Sequence, residues 1–521
     1  MKIDFLKDEY WWGGLITEAE NMPYDCNTVF CTNLATDRVT QSAPLYLSSK
    51  GRYIWSEEPF TIEFNKGVIS ITSDFEVFLT VAGETLREAY IDAMKNHFPF
   101  KGDIRTPREF YEHPQFNTWM ELIKNQNQKD IISYAEEIIE NGYKPGILII
   151  DGGWQICQGT WEVNRELMPN PKAMTDCLHQ LGFTVMIWVS PFMCSEGKTF
   201  LDLYVDYAVE GEREKVKYNH LLRHKNGKPA IQQWWSGYGA IYNFMLPDDC
   251  LHMDKQLRHL MDDYGFDGFK FDGGAYTPQS FICGTDFYGD YTVTQLNDAW
   301  MNFASSYKFH EVKDSWKQGG KPIIQRLLDK RHSWDDNGLN CLIPHGCFMG
   351  IIGSPFVCPD MVGSGSWTAF IDGSFDEELF VRMAECSALF PMMQFSSLPW
   401  RHLSKKAQTI CKNMAELHEK MYPEMEKILS DAERTGEPII RSMEYMYPNC
   451  GYEKINDQFT VGEDILVAPV IKKGDTTKKV YIPTGRWIEQ NTDDVYNGPC
   501  EVNVNAPLEI LPWFKKQERY K

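Results

Sequence analysis

The chain has 521 residues, about three and a half times a usual domain length, so a single compact domain is not expected. Lys and Arg number 52 against 73 Asp and Glu, a formal net charge of −21 that argues against phosphate backbones and anionic lipid as partners. Hydrophobic residues make up 43% and charged residues 24%, the balance of a globular protein, while the aromatic share of 14% is high enough to serve cores or sugar platforms.

The charged start, Met1 to Tyr10, has no apolar segment of a secretory signal, and no apolar run approaches a membrane span. The 14 cysteines are scattered with no CxxC, so reduced, mostly buried thiols in a cytosol are expected. A mature secreted chain is the alternative. Neither HExxH nor paired Cys spacing occurs, so no metal site is expected.

Along the first hundred residues the pattern is β. Phe60 to Phe64 and Val68 to Phe78 alternate around Asn65-Lys66-Gly67, a hairpin-type turn. Strand and helix then alternate. Phe116 to Trp119 reads as strand, Gln128 to Asn141 as an amphipathic helix stopped by Gly142, and Ile147 to Ile150 as a buried strand. A helix from Pro171 to Gln180, the strand Val185 to Val189, and a helix from Pro247 to Gly265 follow. Phe269 to Phe271, Ile323 to Arg326, Pro355 to Val357 and Met392 to Phe395 are the later strand candidates. The last seventy residues are β again. Gly462-Glu463-Asp464 turns into Ile465 to Val470, Val480 to Ile482 runs into Pro483-Thr484-Gly485, and Asn497-Gly498 turns into Val502 to Val504.

Continuous apolar strands followed by amphipathic helices indicate a parallel sheet covered by helices. About eight such units fit a (β/α)8 TIM barrel better than a doubly wound sheet. The predicted parts are an N-terminal β-domain (1–105), the barrel (106–432) and a C-terminal β-sandwich (433–521).

A barrel places its chemistry at the C-terminal strand ends. There the chain carries Asp151-Gly152-Gly153-Trp154, Trp188, Lys270-Phe271-Asp272-Gly273-Gly274, Gln325-Arg326, Trp334-Asp335-Asp336-Asn337 and Asp360. Carboxylates between aromatic walls, without a metal motif, are the inventory for glycoside hydrolysis. Each has a plainer reading: Asp before Gly also forms turns and caps, and Trp154 and Trp188 suit a core. Lys270, inside an apolar strand, needs a buried partner, and Asp272 on the same face is the expected one. A structural salt bridge is the plainer reading of that pair.

These residues resemble glycoside hydrolase family 31. Gly268 to Asp272 is similar to the family's Lys-x-Asp nucleophile strand, and Trp11-Trp12-Gly13-Gly14-Leu15 to its glycine-rich N-domain motif. The resemblance implies that Asp151 binds sugar hydroxyls and that Trp154, Trp188, Lys270, Arg326, Trp334 and Asp360 line or support the substrate site. It implies Asp272 as nucleophile and Asp336 as acid/base, with Asp335 one residue away as the rival. Phe459 to Val470 resembles the family's C-terminal signature. The likeness is nearest to short bacterial members and the myogenesis-regulating glycosidase branch. Three features depart from the pattern: Gly273-Gly274 replaces a longer acidic segment, Pro359-Asp360 replaces a His-Asp pair, and the N-terminal domain is about half size.

The implied activity is retaining, exo-acting hydrolysis of a terminal α-linked hexose, glucose favoured, from small glycosides or oligosaccharides. Retention asks for carboxyls about 5 to 5.5 Å apart. An α-galactosidase and a non-catalytic carbohydrate-binding barrel are the alternatives. No cofactor, no nucleic acid and no membrane partner is expected, homo-oligomerisation is left open, and a cytoplasmic, bacterial setting is expected.

Overall fold

The computed structural model describes residues 1–100, 105–209 and 220–517, with the side chains of 205–209 left aside. The chain forms two compact units. One comprises Met1–Leu34, Gln41–Phe116 and Lys317–Lys521; the other comprises Ala35–Thr40 and Asn117–Trp316. The fold is a (β/α)8 barrel with an N-terminal β-domain and a C-terminal β-domain, and the barrel's parallel strands are shared out between the units.

In the second unit, Ile147–Ile150, Thr184–Val189, Gly268–Phe271 and Phe309–Val312 pair side by side, all parallel. Their residues are almost all buried, as expected of strands covered on both faces. The helices between them begin and end on local signals. Asn127 caps Gln128–Glu140 by accepting from the Asp130 amide, which secures about 1 kcal/mol of helix stability. Ile131, Tyr134, Ala135 and Ile138 form its buried face. Asn170 caps Pro171–Gln180, with Pro171 at the first turn where its missing N–H costs nothing. Pro247–Tyr264 ends at Gly265 with φ of 81°, a left-handed closure that glycine adopts without strain.

An excursion after the Thr184–Val189 strand was not foreseen. Phe192–Met193 pairs with Gly237–Ile241, which pairs in turn with Ile231–Trp234. Phe192, Leu222, Ile241, Tyr276, Phe281 and Phe287 pack into a core beneath this small sheet.

In the first unit, the remaining parallel pairs are short: Gln325–Arg326 with Val357–Cys358, and Met361–Val362 with Gln394–Phe395, which also pairs with Gln115 and Phe116. The predicted strand from Phe116 to Trp119 is corrected here. The strand is Gln115–Asn117, and Trp119–Leu122 turns helical.

Two antiparallel four-stranded sheets form the N-terminal region. The predicted hairpin is present, Thr61–Asn65 pairing with Val68–Thr72 and closing at Asn65↔Val68. Its second strand is shorter than expected, because Val77–Val81 joins the other sheet beside Arg52–Ser56. The expected boundary after residue 105 adjoins residues 101–104, which lie outside the described residues.

The C-terminal region is a six-stranded sheet in which Leu466, Val480, Ile482, Trp487, Val504 and Phe514 share one core. Two predicted turns are corrected. Pro483-Thr484-Gly485 and Asn497-Gly498 lie inside the long strands Thr477–Glu489 and Val495–Asn505. The register shifts between Ile482 and Gly485, so these turn-type residues make an irregularity opposite Gly498 rather than chain reversals.

Cys157 and Cys194 form a disulfide, a correction at this pair to the expected reduced thiols. They lie 37 residues apart in sequence, yet they follow adjacent parallel strands, and their Cα atoms are 6.9 Å apart. The other cysteines divide between buried ones, such as Cys341, Cys358, Cys386 and Cys411, and exposed ones, such as Cys26, Cys31, Cys283 and Cys450. Among the described residues no helix is long and apolar enough to cross a membrane.

Candidate active site

In the second unit the strand ends bring Asp151, Trp188, Lys270 and Asp272 together. Lys270, in the middle of a buried strand, does carry a partner, but the partner is Asp151 rather than the expected Asp272. The Lys270 Nζ donates to Asp151 Oδ2 at 2.7 Å, and both side chains are almost fully buried. The Asp272 carboxylate is held instead by Trp188 Nε1 and the Gly273 amide, while Asp151 follows the strand next but one, within reach of the long ammonium arm.

Asn117 Nδ2 donates to the same oxygen at 3.0 Å, and the Gly152 amide donates to Asp151 Oδ1 at 2.8 Å. The Thr118 hydroxyl oxygen accepts from the Asp151 amide at 3.0 Å. Asp151 is therefore fixed from three sides. Asn117 was missed in the sequence reading, although a polar residue at the end of a buried strand was the available signal.

Asp272 follows the Gly268–Phe271 strand, and its amide donates to the Val189 carbonyl. Trp188 Nε1 donates to Asp272 Oδ2 at 2.9 Å, and the Gly273 amide donates to Oδ1 at 2.9 Å. Two N–H donors on different oxygens hold one carboxylate rotamer. Gly273 and Gly274 have φ of 77° and 104°, and their surroundings also require glycine. A Cβ at 273 would stand 2.6 Å from Phe192, and one at 274 would stand 2.4 Å from Trp300. The Gly-Gly departure is thus a close-packed turn, its carbonyls held by Trp300 Nε1 and Asn297 Nδ2.

Of the two readings of Trp154, lining of the site or core, the structure shows a core position. It is 0% exposed, and its Nε1 donates to the Trp188 carbonyl at 2.8 Å. It lies beneath Trp188 and holds that residue's backbone in place.

In the first unit, Arg326, Asp360, Trp334 and Asp336 fall into two arrangements. Arg326 Nη1 meets Asp360 Oδ1 at 2.5 Å and Asp329 Oδ1 at 2.7 Å, while the Lys330 amide donates to Asp360 Oδ2 at 2.6 Å. Arg326 and Asp360 are each 1% exposed, and this pair braces the loop after the Gln325–Arg326 strand. Burial pushes the Asp360 carboxyl up, and the Arg326 guanidinium opposes that shift.

The Trp334–Asn337 segment separates the two rival carboxyls. Asp335 Oδ1 accepts from the Ser333 hydroxyl at 2.7 Å and from the Asn337 amide at 2.9 Å, which holds Asp335 below the usual carboxylate range. That is a turn-forming role. Asp336 is exposed and, among the described residues, accepts no hydrogen bond. Its charge acts on Glu20, whose carboxyl is pushed up to about 7, chiefly by burial. Trp334 Nε1 donates to Asp376 Oδ2 at 2.9 Å. Among the described residues no group of three or more His, Cys, Asp or Glu side chains is arranged to hold a metal ion.

Comparison with known proteins matches residues 113–321 to the glycosyl hydrolases family 31 TIM-barrel domain and residues 436–519 to the family 31 C-terminal domain. The chain belongs to glycoside hydrolase family 31. Among curated family 31 relatives, the myogenesis-regulating glycosidase of Mus musculus is 28% identical over 408 residues, 74% of this chain and 54% of that protein. Alpha-glucosidase 2 of Bacillus thermoamyloliquefaciens is 22% identical over 431 residues, 75% of this chain and 51% of that one. The chain spans about half the length of the curated relatives it matches. Among solved structures, a family 31 dextranase of Flavobacterium johnsoniae superposes with a TM-score of 0.80 at 19% identity, over 99% of this chain and 66% of that one. An α-xylosidase from a soil metagenome gives 0.79 at 20% identity, over 100% and 79%.

Proposed function

We propose that this family 31 member is a retaining, exo-acting α-glycosidase that releases a terminal α-linked hexose, glucose favoured, from small glycosides or oligosaccharides without a cofactor. The observation that carries the reading is the Asp272 carboxylate, fixed at a strand end by Trp188 and Gly273 beside the buried Lys270–Asp151 pair. A carboxylate held in one rotamer is suited to in-line attack on an anomeric carbon, which forms a covalent glycosyl-enzyme. Asp336, with no competing hydrogen bond among the described residues, suits the acid that protonates the departing oxygen and then takes a proton from water. Asp151 and Lys270 together offer acceptors and donors for hydroxyls remote from the reacting carbon.

The test is hydrolysis of nitrophenyl α-glucoside and α-galactoside, followed by proton NMR of the sugar first released. Release of the α-anomer supports the reading, and the faster substrate names the sugar. Release of the β-anomer refutes retention, and inactivity on all aryl α-glycosides favours the carbohydrate-binding alternative.

A further inference from the structure

Trp235 is 62% exposed in a protein whose other tryptophans are mostly buried. It stands in the turn between Ile231–Trp234 and Gly237–Ile241, where Trp234 pairs with Gly237. A single exposed aromatic is ordinary by itself. This one has a particular place: a Cβ on Gly273, the residue after Asp272, would lie 3.3 Å from Trp235 Cη2. The tip of the indole therefore reaches the backbone that carries the candidate nucleophile.

The ring is also held. Phe192 meets it edge-to-face at 5.9 Å and 87°, and Trp234 does so at 5.1 Å and 68°. Phe192 and Trp234 stack on each other at 4.5 Å, and Phe192 belongs to the buried core beneath the small sheet. Trp235 is thus an ordered aromatic with open surface, in contrast to Asp151, Trp188, Lys270 and Asp272, which are all nearly buried. The buried groups suit the sugar that is cleaved off. An open ring beside them is placed to meet the part of a glycoside that leaves.

We propose that Trp235 is a platform for the leaving-group sugar, a specificity-determining residue that favours saccharide over compact leaving groups. This rests on the α-glycosidase reading above. A pyranose presents a face of C–H bonds, weakly positive and apolar, to the negative face of the indole. The contact needs no charge, and it strengthens binding of a glycoside only when its leaving group is itself a ring.

The experiment compares a glycosyl fluoride, whose leaving group is one atom, with the α-1,4- and α-1,6-linked disaccharides of the same non-reducing sugar. For Trp235→Ala, the ratio of kcat/KM on the preferred disaccharide to that on the fluoride should fall roughly tenfold, carried by a higher disaccharide KM. Trp235→Phe should recover most of that ratio. An unchanged ratio in a folded Trp235→Ala overturns the platform, as does a loss in kcat with KM unmoved. Wild-type protein inert on the fluoride overturns the glycosidase reading and the platform with it, an outcome visible before any variant is made.

Discussion

At the scale of single residues, two neighbouring carboxyls differ in what binds them. Asp335 is occupied by Ser333 and the Asn337 amide, while Asp336 has no such contact among the described residues. Asp336→Ala should therefore slow substrates with poor leaving groups by about 10² or more, and dinitrophenyl glycosides far less, since those leave without a proton. Asp335→Ala should show no such dependence on leaving group. Rate constants across an aryl glycoside series check this, and the reverse pattern would exchange the roles.

Asp151 makes a second residue-scale case. Its carboxylate is locked by Lys270, Asn117 and Gly152, a rigid set of donors and acceptors suited to one hydroxyl geometry. Glucose and galactose differ only in whether the C4 hydroxyl is equatorial or axial. A buried site that reads this hydroxyl should prefer one epimer by more than about 10² in kcat/KM. Asp151→Ala should flatten that ratio as well as lower activity, and near-equal values for the wild type on both aryl glycosides would contradict the role. Which acid Lys270 pairs with was not legible in the sequence. Strand periodicity says which residues share a face, but not which strand's side chain fills the space beside it.

Elements were legible where their residues are buried on one chemical pattern. Ile147–Ile150 and Thr184–Val189 stand out as apolar runs, and the capped helices carry their own start signals. Phe309–Val312 was missed because His310 and Glu311 break the apolar run, although all four residues are buried. The strands Ile231–Trp234 and Gly237–Ile241 were missed because Gln232, Gln233 and two glycines hide their pairing. The C-terminal Asn497-Gly498 misled in the opposite sense, since long-range pairing with Thr477–Glu489 overrode a local turn preference.

One element carries a stability prediction. The Cys157–Cys194 bridge ties the loop after Ile147–Ile150 to the segment after Phe192–Met193, closing a sequence separation of 37. Chain entropy for a loop of that size amounts to about 4 kcal/mol. Cys157→Ser should lower the denaturation midpoint accordingly, with dithiothreitol having the same effect on wild type and none on the variant. A midpoint insensitive to both would show that the thiols are not joined. A persistent bridge also fits an oxidising compartment better than the reducing cytosol expected from the scattered cysteines.

For the whole molecule, the response to acid is a balance: the buried carboxyls of Glu20 and Glu444, pushed up to about 7, and of Glu385, pushed up to about 8, favour the fold as pH falls, while a buried histidine opposes it. His418, in the long helix Lys405–Thr435, is enclosed, and burial pushes its imidazole down to about 4 while its Nδ1 lies 3.0 Å from the Ala388 carbonyl. The unfolded chain takes up this proton near pH 6.5 and the folded chain near 4. Stability from this group is complete above pH 6.5 and falls as pH drops towards 4, by an amount on the order of 3 kcal/mol. The difference in urea midpoint between wild type and His418→Asn should shift against the wild type as pH falls from 7 to 4. A difference constant over that window would contradict the assignment.

The barrel itself was readable because its alternation of apolar strand and amphipathic helix recurs along the chain. The division of the candidate site residues was not, since it depends on contacts distant in sequence. The account turns on Asp272 as the nucleophile, and a mechanism-based label tests that most directly. Protein treated with a 5-fluoro-α-glycosyl fluoride, digested and sequenced by mass spectrometry, should carry one glycosyl group on Asp272, and Asp272→Ala should carry none. A label on another carboxylate, or full turnover in Asp272→Ala, would contradict the account.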